Sequence, residues 1–427
     1  MRTEPTTPMT APEKAGISSR KRVLLSAFAC EPFKGSEPEV GWQWAMQISR
    51  FHHVTVLTRH QYRVPIESAL KSLPSGQPKP EFVYFDLSKS LERFGKGSVG
   101  LRIYYVLWQK KARAVIGQLH RENPFDVLHH VTFATFRYPT AIWGHGVPSI
   151  WGPVGGLEST PVRLLPWHHP SSLLVEIFRN LNNWFQSAPF ARLPQRARAS
   201  TKTLVCTMEM QKALAKLGFE SQLMTTIGLH TKSMSHQSHR QAEGPLRLLF
   251  VGKVIALKGL DLALKALSAS GTTATLTVIG TGNYQVPAER LAAKLGLGGR
   301  VIFQGQLPRE KVLSIYQEFD VLLFPSRHDT GGFAVIEAMF NELPVICLDC
   351  AGPAVAVGEG CGFKIPVHQS EGQVIHGLAA AIARYDRDRA LLLTHGRAAR
   401  ESILKNYDWE QKGVQMNEVY EQIFAGH

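Results

Sequence analysis

The chain predicts an α/β protein built from two Rossmann-like, doubly wound domains that face each other across a cleft. Three observations carry this reading. Apolar runs of strand length alternate with helix-length amphipathic segments from Arg22 onward. The alternation stops at residues 233–244, a Ser-, His- and Gln-rich stretch without apolar periodicity, and restarts at Leu246. The length of 427 residues also exceeds what a single core of ordinary size uses.

Taken in order, residues 1–20 read as a tail without stable structure, and residues 21–232 as the first domain. Its strands are expected near Val23–Cys30, Val54–Thr58, Phe82–Phe85, Asp126–His129, Ser149–Trp151 and Thr203–Cys206, with a helix through Trp42–Ile48. Residues 161–200, rich in Arg, Trp, Phe and Pro, interrupt this rhythm and read as a helical insertion. Residues 233–244 are the linker, residues 245–405 the second domain, and residues 406–427, apolar at helical spacing, a closing helix. In the second domain the strands are expected at Leu246–Val251, Leu276–Ile279, Val301–Phe303, Val321–Phe324 and Val345–Cys347.

Composition narrows the function. No stretch approaches 18 uninterrupted apolar residues, and the first twenty residues lack the apolar middle of a secretory signal, so a cytoplasmic protein is expected. Five cysteines, an odd number scattered along a long chain, argue against a disulfide framework. Cys347-Leu-Asp-Cys350 has the spacing of half a zinc or redox motif, but no second pair accompanies it. The net charge of +14 lies in one half: residues 1–240 hold 30 Lys+Arg against 15 Asp+Glu, residues 241–427 hold 18 against 19. A basic first domain points to an anionic partner. No nucleic-acid motif is present, which leaves an anionic membrane surface or a phosphate-bearing acceptor.

The most informative stretch runs from Phe324 through Asp329-Thr-Gly331-Gly332-Phe333 to Glu337-Ala-Met339. A strand ends, a loop follows, and a helix begins. Gly331 and Gly332 at that junction let backbone N–H groups approach an anion, where the helix dipole adds attraction. Asp329 and Glu337 could each bind vicinal hydroxyls of a sugar or ribose. After the first strand of the same domain, Gly252-Lys253 and Lys258-Gly259 place two cations where a diphosphate leaving group would need them. Gly280-Thr-Gly282 ends a third strand on the same sheet edge.

In the first domain, Gly35-Ser-Glu37-Pro-Glu-Val-Gly41 reads as the first strand-to-helix loop, and Trp151-Gly-Pro-Val-Gly155-Gly156-Leu-Glu158 as a later one. Asp126-Val-Leu-His129-His130 puts two histidines at a strand end. Adjacent residues of a strand face opposite ways, so at most one of them points into the cleft. A metal site lacks further ligands at usable spacing.

The stretch from Asp329 to Glu337-Ala resembles the donor-site signature of the family 4 glycosyltransferases, an acid followed after seven residues by Glu-Ala, with Asp329 standing where the family has Glu. Lys253 and Lys258 resemble that family's diphosphate-binding Arg and Lys, Lys253 replacing the Arg. The segments Ala29–Trp42 and Trp151–Gly156 resemble a bacterial polysaccharide-assembly branch. The resemblance covers roughly residues 22–420 and implies the GT-B architecture and retaining transfer of a sugar from a UDP- or GDP-sugar, without a metal or other cofactor.

By that resemblance Glu337 binds the ribose, Asp329 with the N–H groups of Gly331–Phe333 holds donor sugar and phosphate, and Lys253 and Lys258 hold the diphosphate. His129 or His130 matches a pocket histidine beside the transferred sugar. The acceptor is expected to be a glycan or lipid-linked hydroxyl in cell-surface polysaccharide assembly. With the basic first domain, this extends the expected location to the inner face of the plasma membrane. Two rival readings remain: an inactive glycan-binding scaffold of the same fold, and a nicotinamide-dependent oxidoreductase. Against the second, no Gly-x-Gly-x-x-Gly follows the first strand.

Overall fold

A computed structural model describes residues 20–88, 91, 97–234 and 244–426. The tail expected at 1–20 and the linker expected at 233–244 fall almost wholly outside the described residues. Two parallel sheets account for the strands.

The first sheet has the order β3-β2-β1-β4-β5-β6-β7. In chain order its elements are β1 (Arg22–Ser26), α1 (Ser36–Ser49), β2 (His53–Thr58), α2 (Arg63–Ser72), β3 (Glu81–Tyr84), α3 (Gly97–Glu122), β4 (Val127–His130), β5 (Ser149–Val154), α4 (Pro170–Gln186), α5 (Arg192–Arg198), β6 (Lys202–Val205), α6 (Met208–Lys216) and β7 (Gln222–Leu223). The second sheet has the order β10-β9-β8-β11-β12-β13. It is built from β8 (Arg247–Val251), α7 (Leu260–Ala269), β9 (Thr275–Ile279), α8 (Gln285–Lys294), β10 (Val301–Gly305), α9 (Arg309–Ile315), β11 (Val321–Phe324), α10 (Phe333–Phe340), β12 (Val345–Leu348), α11 (Ala351–Ala356), β13 (Gly362–Ile365), α12 (Glu371–Arg387), α13 (Arg389–Asn406) and α14 (Trp409–Ala425).

Near-continuous apolar runs such as Val23-Leu-Leu and Val321-Leu-Leu-Phe are buried on both faces, as a parallel sheet covered by helices requires. Two strands are absent from the sequence expectation. β7 is two residues long, and in β13, Gly-Phe-Lys-Ile, a glycine and an exposed lysine break the sequence, so neither shows an apolar run. The loop expected at Gly35–Gly41 is also shorter than its glycines suggest. α1 begins at Ser36, with Glu37 and Glu39 in its first turn, and Gly41 lies inside it. A Cβ at Gly41 would sit 2.1 Å from the Ala29 carbonyl oxygen, so this glycine permits helix-to-strand contact and does not face a ligand.

The strand order reverses between β1 and β4 in one sheet and between β8 and β11 in the other. Open parallel sheets bind ligands at such switch points, beyond the carboxyl ends of the strands. The chain crosses between the sheets twice at one place. Leu229 on the way out and Tyr407–Trp409 on the way back exchange backbone hydrogen bonds of 2.7 and 3.0 Å. α14 then packs on the first sheet's core, Trp409 edge-on to Trp44 at 5.3 Å. Beside this crossing the buried Lys412 ammonium donates to the Thr225 carbonyl at 2.6 Å and lies over the rings of Trp44, Tyr407 and Trp409.

Burial also fixes the state of three histidines of the first domain. Burial lowers the pKa of His129 to about 4, of His130 to about 3 and of His52 to about 4. These groups remain neutral in the fold but protonate near pH 6.5 once unfolded, so the unfolded chain binds more protons below that pH. Their contribution to stability is complete above about pH 6.5 and is lost as pH falls toward 4. Urea midpoints between pH 7.5 and 5 should therefore fall, and His52→Asn should flatten the slope.

Candidate active site

A cavity of about 1020 Å³ lies between the two sheets and is lined from both domains. On the second domain's side, β8 ends in Val251-Gly252-Lys253, all on its wall. The chain then makes a 3₁₀ turn, Ala256–Lys258, and Gly259 caps α7 in the left-handed conformation at φ 73°. A Cβ at Gly259 would come within 2.0 Å of the Pro325 carbonyl oxygen, so only glycine lets the turn approach the loop after β11 this closely. That approach places Lys258 over the Phe324 ring at 5.2 Å and in an ion pair with Asp329.

The loop itself is held by Arg327, whose side chain is fully buried. Its guanidinium forms a fork with Asp261 at 2.8 and 2.6 Å and donates to the carbonyls of Ala256 and Leu164, both at 2.6 Å. Burial pushes the Asp261 carboxyl up, but Arg327 outweighs that and leaves it below its ordinary range. Gly332, at φ 70°, caps α10, so Gly331, Gly332, Phe333 and Ala334 present the start of that helix to the cavity. Backbone N–H groups, the helix dipole and two lysines together give this wall a positive potential suited to an anion.

The first domain supplies the opposite wall. Glu37, in the first turn of α1, accepts from the Phe133 N–H at 2.5 Å, and burial raises its carboxyl. Ser36 and Phe133, both lining the cavity, adopt left-handed backbone at φ 55° and 53°, strain of about 1–3 kcal/mol apiece that clusters at the site. Gly35 precedes them as the cap of α1. Gly155 and Gly156 lie on the wall too, and a Cβ on Gly155 would meet Thr330 of the other domain at 2.7 Å. Glu158, buried and raised above the usual carboxylate range by that burial, accepts from the Gly156 N–H at 2.8 Å and from Thr207 and Thr330 at 3.2 Å each. It joins the domains across the cavity.

The structure thus brings Lys253, Lys258, Asp329, Gly331, Gly332, Phe333, Glu37, Gly155 and Gly156 to one cavity. Several expected residues lie elsewhere. His129 and His130 do not line the cavity. α14 covers that strand end, and His129 is spanned between the Tyr420 hydroxyl at 2.6 Å and the Gly152 carbonyl at 2.7 Å, while His130 meets the Tyr105 hydroxyl at 3.1 Å. The histidine that does line the cavity is His328, whose pKa burial lowers to about 4.

Gly280 and Gly282 also lie off the wall. A Cβ on either would strike the Gly252 or Val254 carbonyl oxygen at 1.9 or 2.1 Å, so they serve strand-end packing. Glu337 sits behind the wall, its carboxylate taken by Arg309 at 2.7 Å and by the Tyr316 hydroxyl at 3.1 Å. The sequence reading missed Arg327, His328 and Glu158, although an arginine and a histidine beside the donor-loop acid were visible signals.

The family model for glycosyl transferases group 1 matches residues 232–394, the stretch that carries the lysine pair, Asp329 and the glycine-capped helix. Over this stretch the second domain is similar to the glycosyl transferases group 1. A 2-deoxystreptamine glucosyltransferase of Streptomyces kanamyceticus is 33% identical over 170 residues, 39% of this chain and 43% of that enzyme. The chain spans about half the length of the curated relatives it matches.

Among solved structures, the lipopolysaccharide outer core galactosyltransferase WaaB superposes over 94% of this chain and 99% of its own with a TM-score of 0.62 at 14% identity. An Anabaena protein in complex with UDP-glucose superposes over 94% and 100% with a TM-score of 0.55 at 16% identity. At these identities the likeness shows the fold, and the two facing parallel sheets are the GT-B architecture.

The Arg327 fork gives a stability test. Arg327→Met should cost about 3–5 kcal/mol because Asp261 stays buried without its partner. The double change Arg327→Met with Asp261→Leu should recover most of that in urea unfolding. Equal losses would assign the effect to the Leu164 and Ala256 contacts instead.

Proposed function

We propose that this group 1 chain is a retaining glycosyltransferase that moves a sugar from a UDP- or GDP-sugar to a glycan or lipid-linked hydroxyl in cell-surface polysaccharide assembly, acting in the cytoplasm at the membrane's inner face. The observation that carries the reading is the anion site between Lys253, Lys258 and the Gly332-capped start of α10, on the same wall as Asp329. A departing nucleoside diphosphate gathers negative charge there, and fixed cations and N–H groups stabilise charge where it develops. The two lysines take the part a divalent ion plays elsewhere, so no metal or other cofactor is assigned. The fold likeness to a UDP-glucose complex supports a nucleotide sugar as donor.

Within this reading the residues divide the work. Lys258 exchanges its Asp329 partner for the diphosphate, and Asp329 turns to the donor sugar's hydroxyls. Glu337 receives the ribose in exchange for the exposed Arg309. His328, neutral throughout the physiological range, hydrogen-bonds the sugar without adding charge. Glu37 and the Gly155–Gly156 turn face the acceptor.

A thermal-shift panel of UDP, GDP and NAD should show stabilisation by one nucleoside diphosphate, about 2.7 kcal/mol at a hundredfold excess over Kd, and none by NAD. The shift should disappear in Glu337→Ala. With the matching nucleotide sugar, Lys258→Ala should lower kcat about 10²–10³-fold, the scale of one lost charge-stabilising donor. EDTA should leave the wild-type rate unchanged. A shift with NAD alone would overturn the proposal, and turnover equal to that of Glu337→Ala would favour the inactive scaffold.

A further inference from the structure

Nine of the nineteen large apolar side chains exposed among the described residues fall between Val162 and Phe190. Six stand on α4 alone: Leu174, Val175, Phe178, Leu181, Trp184 and Phe185. α4 is oriented opposite to an ordinary surface helix, which turns its apolar stripe inward. Here the inward face is polar. Glu176 accepts from the Thr160 hydroxyl at 2.7 Å, Asn180 donates to the Thr160 carbonyl at 2.7 Å, and Asn183 donates to the Leu157 and Glu158 carbonyls at 3.1 Å each. These bonds hold α4 on the loop that forms the first-domain wall of the cavity, and they fix the apolar face toward solvent. Leaving six such side chains largely in water forgoes the stabilisation that burying them would give. A contiguous exposed patch of this kind marks an interaction surface.

Charge identifies what covers it. From Ser159 to Met208 the only carboxylate is Glu176, which is buried and paired with Arg179. Arg163, Arg192 and Arg198 are exposed in the same stretch, which offers them no free acid. An exposed apolar helix face carrying Trp and Phe, in a segment whose exposed charges are arginines, matches a bilayer interface with anionic headgroups. A second copy would bring the same unopposed positive charge to the contact. α4 also reaches the cavity: Val175, Phe178 and Arg179 line it, and Arg102 and Arg137 lie on the same first-domain side. Glu176 and Glu158 offset part of that charge, pairing with Arg179 and facing Arg137 respectively.

We infer that α4 docks the protein on an anionic phospholipid bilayer, from which the cleft takes a lipid-borne, phosphate-bearing acceptor. Its chain lies along the exposed face of α4 and its phosphate meets Arg102, Arg137 and Arg179. The acceptor part rests on the transferase reading; the docking does not.

Flotation with phosphatidylcholine vesicles, with and without phosphatidylglycerol, tests the docking without any donor. The wild type should float with the phosphatidylglycerol vesicles, and Leu181→Glu/Trp184→Glu should reduce the floated fraction roughly tenfold. That variant should keep its melting temperature and nucleotide-induced shift, because neither residue lines the cavity. Failure of the wild type to float, equal recovery on both vesicles, or equal flotation of the variant each overturns the docking. So does a concentration-dependent dimer that the variant dissolves.

Thermal shift with farnesyl phosphate, farnesol and inorganic phosphate then tests the acceptor class. Farnesyl phosphate alone should stabilise the wild type, and Arg102→Ala should abolish the difference from farnesol. A shift with inorganic phosphate equal to that with farnesyl phosphate, or none with either, overturns it. A nucleotide shift with no flotation would leave the transferase reading standing and remove the inference. Flotation without a nucleotide shift would do the reverse for the docking and the transferase reading.

Discussion

The second domain's wall of the cavity depends on one buried guanidinium. Arg327 sits two residues before Asp329, and its donors are aimed at Asp261, Ala256 and Leu164. Each partner belongs to a different piece of the site: the start of α7, the 3₁₀ turn that carries Lys258, and the segment of the first domain that precedes α4. A buried charge without partners is costly enough that the loop cannot relax away from this arrangement. The position of Lys258 relative to Asp329 is therefore set from behind, by groups that never touch a ligand, which is how a preorganised site avoids reorganising as charge develops. Lysine in place of Arg327 could not reproduce the fork, since an ammonium is a point charge and the contact needs a planar, multidentate donor.

The same economy explains where the glycines fall. Gly259, Gly280 and Gly282 resemble ligand-binding glycines in sequence, yet a Cβ on each would collide with a carbonyl oxygen of a neighbouring turn. They bring three strand-to-helix connections into contact, and the site is built on top of that contact. Gly332 differs: its left-handed conformation opens α10 toward the cavity, and a Cβ there would meet only side chains at 3.6 Å or more. Spacing cannot separate the two uses, because both appear as a glycine at the end of a strand.

The parts of the fold that were legible in the sequence are those governed by local periodicity. Apolar runs at 23–25, 54–57, 248–251 and 321–324 announced central strands, and the break before Leu246 announced the second sheet. That Lys253, Lys258, Asp329 and the glycines share one wall was legible because they lie in two short stretches of sequence. What local pattern cannot carry is contact between distant segments. One of His129 and His130 was expected in the cleft, but α14, almost three hundred residues later, sets Tyr420 against His129, and Tyr105 meets His130. Lys412, its pKa lowered to about 7 by burial, is equally unexpected, since nothing in Trp-Glu-Gln-Lys-Gly says that three aromatic rings will enclose its fourth residue.

Glu158 shows how the two walls become one site. Its carboxyl is buried in the first domain, yet one oxygen accepts from Thr330, the residue after Asp329 in the second. The contact exists only with the domains this close, and Gly155 permits it, because a Cβ there would occupy the space of the Thr330 methyl group. α4 is anchored to the same loop through the carbonyls of Leu157 and Glu158. A short chain of hydrogen bonds thus runs from the outward-facing helix, through Asn183 and Glu158, to Thr330 and the loop that carries Asp329. Any force that seats α4 against a surface is applied to the wall that meets the donor loop. The position of the outward-facing helix is thus coupled to the loop that carries Asp329 by buried hydrogen bonds, which salt screens far less than exposed charges.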